Sequence, residues 1–311
     1  MEALENVPYV GELASLTAAL LWAATLCAIR GFGDGISATV LNLFKSVVAL
    51  VCLAVSLAVL QPELPAETNV WIALALSGLV GLAIGDTALF AALRRVGAQT
   101  TSALQCLAPP IAALLAFLFL SEALGARQLV GVAITVAAVF GVIAFGKERA
   151  TPSTSASRAP ISGLLFAVLA AITQAIGMVL ARKAFQDAGV LVGTAIRFVP
   201  AVVVLSTFQL LRGPRSLWKV TGKVTGKVTE FRSPNQVAAL GIAAFFGTFV
   251  GVLCLSAGTK YAEVGVVMAI SYSFPVWIIP IAWIFLKERT NWRCLLCTIL
   301  AVAGIVMMLA S

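Results

Sequence analysis

Residues 81–145 begin Gly81-Leu82-Ala83-Ile84-Gly85, pass Ala108-Pro109-Pro110 and reach Phe119-Leu120-Ser121-Glu122, with Arg127 behind. The same order returns in 247–311 at a constant offset of 166: Gly247, Gly251, Pro275, Phe285-Leu286-Lys287-Glu288, then Arg293. The front of each half repeats too, at an offset of 152, aligning Gly11 with Gly163, Ala23 with Ala175, Arg30 with Arg182 and Lys45 with Arg197. The chain is therefore read as two copies of one unit: 1–145, a polar linker 146–160, and 161–311.

Water is not the main solvent for this sequence. Hydrophobic residues make up 61% of the 311 positions and charged residues 11%, well under the roughly 25% charge of a soluble domain. Apolar runs of about 20 residues recur, each long enough for a hydrocarbon core of ~30 Å. Ten spans are expected, near 11–30, 38–60, 70–93, 98–119, 126–145, 161–184, 190–211, 236–258, 263–286 and 292–310. The fold class is an all-α polytopic membrane protein. Five spans per unit is an odd number, so the second unit must enter the membrane from the opposite side, giving an inverted repeat. The first apolar run is too long for a cleaved signal, so none is expected.

Fifteen of the 21 Lys and Arg residues fall in or beside the loops after spans 1, 3, 5, 7 and 9, and four on the opposite side. The positive-inside rule then puts those loops in the cytoplasm and both termini outside. The net charge of +8 is largely this asymmetry, and no nucleic-acid patch is read from it. The tandem Lys219, Lys223 and Lys227 falls in a Val-Thr-Gly repeat that suits a solvated loop better than a helix.

The six cysteines lie in apolar spans, so no disulfide framework is implied. Cys294-x-x-Cys297 has no histidine to complete a metal site anywhere in the chain, and both cysteines read as packing residues. No metal or cofactor is expected.

The doubled unit, with its proline and Phe-Leu-x-Glu pattern in register and a basic residue early in the second helix of each copy (Lys45, Arg197), resembles the ten-helix EamA-type members of the drug/metabolite transporter superfamily. The resemblance covers nearly the whole chain. It implies a carrier of small organic solutes, often amino acids and their relatives, with a central cavity between the halves. Other relatives exchange nucleotide sugars or sugar phosphates; those eukaryotic members are usually drawn with cytosolic termini, against the charge bias here. A home in a bacterial inner membrane, a monomeric state and transport out of the cell are expectations of the same kind. Protons as a coupling ion stay open.

Three ionisable residues sit deep in the predicted spans. A charge near the bilayer centre costs about 2.5–3.5 kcal/mol on insertion scales, so each should face protein or water. Lys45 and Asp86 are both about 10 Å from the cytoplasmic ends of their helices at ~1.5 Å per residue, so an ion pair is expected. It is either a moving part of the cycle or a static helix register. Arg197, the counterpart of Lys45, has no acidic partner aligned with Asp86, where the second copy carries Val252. It suits a solute carboxylate or phosphate, or else snorkels or pairs with Glu263.

Polar side chains cluster before the repeated prolines: Thr101, Ser102 and Gln105 before Pro109, and Ser271, Tyr272 and Ser273 before Pro275. The prolines are candidate hinges. Trp22, Met268, Phe274 and Trp277 are candidates for an apolar wall, and Gln174 aligns with Trp22. Glu122 and Glu288 read as helix-end residues, and the paired glycines as sites of close helix approach. The lack of histidine, paired midplane carboxylates or a nucleophile motif speaks against an intramembrane enzyme. A non-transporting receptor or scaffold remains the reading from another class.

Overall fold

The computed structural model describes residues 9–33, 36–120, 125–145, 160–211, 220–221, 228–229, 234–255, 270–287 and 291–309. Glu122, Glu288, Glu263, Met268, the three tandem lysines and nearly all of the linker lie outside them. Among the described residues the chain forms ten helical spans: α1 (Val10–Phe32), α2 (Ala38–Leu60), α3 (68–96), α4 (98–120), α5 (Ala126–Phe145), α6 (Ile161–Ala188), α7 (Val190–Leu211), α8 (Pro234–Leu255), α9 (270–286) and α10 (Trp292–Leu309). Among the described residues seven helices are long and apolar enough to cross a membrane, one of them the 38-residue run Thr68–Gln105. The protein is an integral, multi-pass membrane protein.

That run revises one boundary. A short loop was expected between spans 3 and 4, but a single residue, Gly97 at φ 80 and ψ 175, separates α3 from α4. Its left-handed φ is open to glycine at no steric cost, and so the chain turns without spending further residues. The lysine-rich stretch also departs from a plain loop: Val220–Thr221 pairs antiparallel with Val228–Thr229. These β-branched residues favour extended backbone.

Inside a bilayer a hydroxyl without a partner is costly, and hydroxyls here return to their own helix. Ser15 donates to Gly11 O, Thr135 to Gly131 O, Thr173 to Leu169 O and Thr298 to Cys294 O, each at 2.8 or 2.9 Å. Side-chain volume is small where helices cross. Along α6, Ala167, Ala170, Ala171, Ala175 and Ala181 are all buried, and α3 and α4 pack against this helix.

The two units are inverted with respect to each other, as helices in equivalent positions demonstrate. α5 and α10 correspond at the offset of 166 and pack side by side. Gly131 meets Gly304, Thr135 donates to Ala301 O at 3.3 Å, and Phe145 lies under Arg293. As one helix advances the other retreats, so the pair is antiparallel. Thr135 and Ala301 are themselves equivalents, so the pseudo-two-fold passes between them.

The units also exchange partners. α3 of the first packs on α6 of the second, and α8 of the second packs on α1 of the first. Both crossings rest on the repeated glycines. A Cβ on Gly81 would stand 3.7 Å from Gly177 Cα, and one on Gly85 2.8 Å from Thr173 Oγ1. At the equivalent crossing a Cβ on Gly251 would stand 2.8 Å from Trp22 Nε1, and one on Gly247 would collide with Thr25 Oγ1. One hydrogen bond ties each crossing, with the roles reversed. Ser77 Oγ donates to Gly177 O at 2.7 Å, whereas Thr25 Oγ1 donates to Ala243 O at 3.1 Å. Ser77 aligns with Ala243, and Thr25 with Gly177.

Two irregularities repeat in register as well. α3 is π-helical over Gly78–Gly85 and α8 over Phe245–Val250. α4 breaks at Cys106–Leu107 and α9 at Tyr272–Ser273, immediately before the residues that precede Pro109 and Pro275. Each proline then occupies the second residue of a new helical segment, Ala108–Leu120 or Phe274–Ile281. There its missing N–H costs no hydrogen bond.

Gly247→Ala should lower the midpoint of thermal unfolding in detergent, since overpacking at such a contact costs about 1–3 kcal/mol. Gly241→Ala, whose Cβ would meet only Phe44 Cζ at 3.9 Å, serves as the control and should leave the midpoint unchanged or raise it.

Candidate solute-binding site

The expected ion pair forms. Lys45 Nζ of α2 donates to Asp86 Oδ2 of α3, and both residues are buried, 8% and 6% exposed. Gln174 of α6 donates to the other carboxylate oxygen, Oδ1, at 2.7 Å. Asp86 therefore holds partners from both units at once. Lys45 Nζ also lies 5.5 Å from the Phe90 ring centre and 5.9 Å from that of Phe198, so its charge is met by ring faces where it is not met by Asp86.

The π-helical turn aims this carboxylate. The Asp86 N–H bonds to Gly81 O, five residues back, instead of to Leu82 O. The shift frees carbonyls on the preceding turn, and Asn42 of α2 takes them. Its Nδ2 donates to Leu82 O at 2.8 Å, to Ala83 O at 3.3 Å and to Thr87 Oγ1 at 2.9 Å. Ser46 Oγ in turn donates to Asn42 Oδ1 at 3.3 Å. Asn42 was not singled out in the sequence. The signal present there is that an amide three residues before Lys45 falls on the same helix face.

Arg197 sits one turn below Asp86 on the same wall of α3. A Cβ on Gly81 would be 3.5 Å from Arg197 Nη2, and Gly78 lies directly on the Arg197 backbone. The guanidinium covers the Phe185 ring at 5.5 Å. Its Nε is buried without a hydrogen-bond partner. Asp86 and Tyr272 both lie within Coulombic reach. A buried donor left unpaired costs about 1–3 kcal/mol.

Around the breaks in α4 and α9 the candidates divide into two groups. Ser102 Oγ donates to Gln99 O at 3.0 Å and Gln105 Nε2 to Ala167 O at 3.3 Å, so both are engaged in holding helices. Thr101 Oγ1 and Ser271 Oγ are buried and have no partner. Tyr272, which aligns with Cys106, packs against both main clusters of buried apolar side chains. From Tyr272 the aromatics continue through Phe274, 6.5 Å away, to Trp22, a further 6.4 Å in an edge-to-face contact. Trp277 Nε1 donates to Ser273 Oγ at 3.1 Å, and that hydroxyl donates to Ile270 O at 2.6 Å. Trp277 thus braces the α9 break.

Among the described residues no three His, Cys, Asp or Glu side chains group as metal ligands. Cys294 is buried and Cys297 half-buried, and neither is in a disulfide.

Comparison with known proteins agrees with this doubled architecture. The model of the EamA-like transporter family matches residues 9–144 and again 161–310. The chain belongs to the EamA-like transporter family. A crystal structure of another protein superposes with a TM-score of 0.66 at 17% sequence identity, covering 96% of this chain and 95% of that one. At that identity the likeness shows the fold. No curated protein matches the sequence. For a member of the EamA-like family, a buried network that joins the two units is the natural place to look for solute contacts.

Asp86→Asn or Lys45→Gln alone should destabilise the protein, because removing one partner of a buried pair costs about 3–5 kcal/mol. The double change should recover much of the yield of monodisperse protein on size exclusion. Normal yield from both singles would show that neither charge is buried in the membrane-embedded protein.

Proposed function

We propose that this EamA-like protein is a secondary carrier that exports small amphipathic metabolites, amino acids among them, by alternating access across a bacterial cytoplasmic membrane. The observation that carries this reading is a charge imbalance at the junction of the two units. Two cations in the interior, the buried Lys45 and the half-buried Arg197 with its Nε enclosed, face one carboxylate, Asp86, which is already committed to Lys45 and Gln174. A solute carboxylate on Arg197 would supply the missing partner, with two parallel hydrogen bonds from the guanidinium. Ser271 Oγ, also without a partner, is a second donor beside Tyr272. One surplus cation suits one carboxylate better than a phosphoryl group, which favours metabolite acids over sugar phosphates.

In this reading Tyr272, Phe274, Trp22 and Trp277 receive the apolar part of the solute, and Ser102, Gln105 and Gln174 border the path. The breaks before Pro109 and Pro275 act as hinges, since a segment that starts afresh can tilt without losing a run of helical hydrogen bonds. The basic loops face the cytoplasm and both termini face out. The carrier works as a monomer without a cofactor. Co-transport of protons is an arm of the flux measurement: purified protein in liposomes, assayed in both directions, with and without a pH gradient.

Arg197→Lys should weaken transport of carboxylates and Arg197→Gln should weaken it further, through affinity rather than maximal rate. A charge-assisted hydrogen bond contributes on the order of 1.5–3 kcal/mol. Competition by amino acids against their amide or ester analogues reads the effect, and an equal loss for charged and uncharged solutes would remove Arg197 from the site. For orientation, single cysteines at Glu63 and Asn291, both exposed, go into a background lacking the native six. A membrane-impermeant thiol reagent applied to intact cells should label the first and spare the second.

A further inference from the structure

Lys45 and Arg197 are inverted-repeat equivalents, yet only Lys45 holds a carboxylate. Asp86 has no counterpart in the second unit, where Val252 stands in its place. Its two oxygens are taken, one by Lys45 and one by Gln174. Arg197 lies beside Gly81, the residue whose carbonyl accepts the Asp86 N–H. The guanidinium is therefore about one helical turn, ~5 Å along the axis, from a carboxylate to which no hydrogen bond or ion pair connects it.

We infer that Asp86 is a resident counter-ion that sets the charge of the solute the site accepts, and is not itself a solute ligand. With Asp86 in place the three groups sum to one positive charge, and a solute group with one negative charge balances them. A dianionic group would bring its second charge to the side where Asp86 is fixed, and like charges so close in a buried setting repel strongly. Gln174 is the positioning residue. Its amide pins the carboxylate from the opposite unit, so Asp86 cannot turn to satisfy Arg197 in place of the solute. Gly81 lines the space in which the guanidinium lies, where a Cβ would come into van der Waals contact with Nη2 at 3.5 Å.

This inference rests on the proposed anion site at Arg197 and adds the rule for charge. Succinamide, succinamate and succinate test it, since they are close in size and carry no, one and two carboxylates. Binding to the full-length protein in detergent is read by competition and by ligand-induced thermal shift. The wild type should prefer succinamate to both others. Asp86→Asn should reverse the order of succinamate and succinate, a shift of about tenfold or more in their affinity ratio for a charge change at this range. The double variant Lys45→Gln, Asp86→Asn removes one charge of each sign and should restore the preference for succinamate.

Arg197→Gln should abolish the preference of succinamate over succinamide, and it carries the test if Asp86→Asn cannot be purified; retention of that preference would overturn the inference. Gln174→Leu should narrow the gap between succinamate and succinamide without changing the fold, as read by an unaltered elution volume. A protein that binds succinamate but keeps its preference over succinate in Asp86→Asn overturns the counter-ion role and leaves the anion site standing. A wild type that binds none of the three probes overturns both.

Discussion

The approach of α3 to α6 at Gly81 and Gly177 is the contact on which the rest of the interior depends. With no side chain on either residue, the helices cross at backbone distance, and Ser77 closes the crossing with a hydrogen bond to Gly177 O. In hydrocarbon, helix association has no hydrophobic drive of its own, so such close packing and interhelical bonding must supply it. The crossing fixes what lies one turn away on each helix, Asp86 on α3 and Gln174 on α6, at hydrogen-bonding distance. It also leaves the recess beside Gly81 in which Arg197 lies. A Cβ on Gly177 would stand 3.1 Å from Gly81 Cα, so a side chain there would press the two backbones apart.

Symmetry supplies the frame and its breaking supplies the chemistry. Both glycine crossings, both π-helical segments and both helix breaks recur in register, so the backbone is built twice. The side chains at equivalent points are not the same. Asp86 becomes Val252, Gln174 becomes Trp22, and the hydroxyl bond of the crossing passes from the glycine-rich helix to its partner. One crossing is therefore polar and held by a carboxylate; the other is closed by an indole against Gly251. Under the proposed alternating access, two such unlike halves would give two unlike end states.

Much of this was legible in the residues. The doubled glycine, proline and Phe-Leu-x-Glu order revealed ten spans and the inversion, because a membrane chain has few ways to bury its backbone. Equal depth on neighbouring helices placed Lys45 beside Asp86, since cost in hydrocarbon forces buried charges to meet. What could not be read depends on helix rotation. The π-helical turn before Asp86 moves every later residue of α3 around the axis by about 100° relative to an α-helix. Nothing in Gly78-Leu79-Val80-Gly81 announces it. The contacts that Asn42 makes with the turn and Gln174 as a ligand of Asp86 follow from that rotation. The loss of a loop at Gly97 was hidden for a related reason: one left-handed residue does the work of several, and a single glycine among 25 carries little signal.

The buried donors without partners bear on why the interior is polar at all. An apolar replacement for the Lys45–Asp86 pair would cost less to insert, since both charges must be taken out of water. Stability alone thus gives no reason to keep three ionisable groups together in a span of helices this apolar. Specific geometry does give one. Asp86 is pinned on both oxygens, Asn42 secures the turn that carries it, and Phe185 backs the guanidinium. The restraint does not extend to the Arg197 Nε, which is buried without a partner. An arrangement that immobilises a carboxylate within reach of an arginine, and still leaves the arginine Nε without a partner, is the geometry on which the proposed anion site rests.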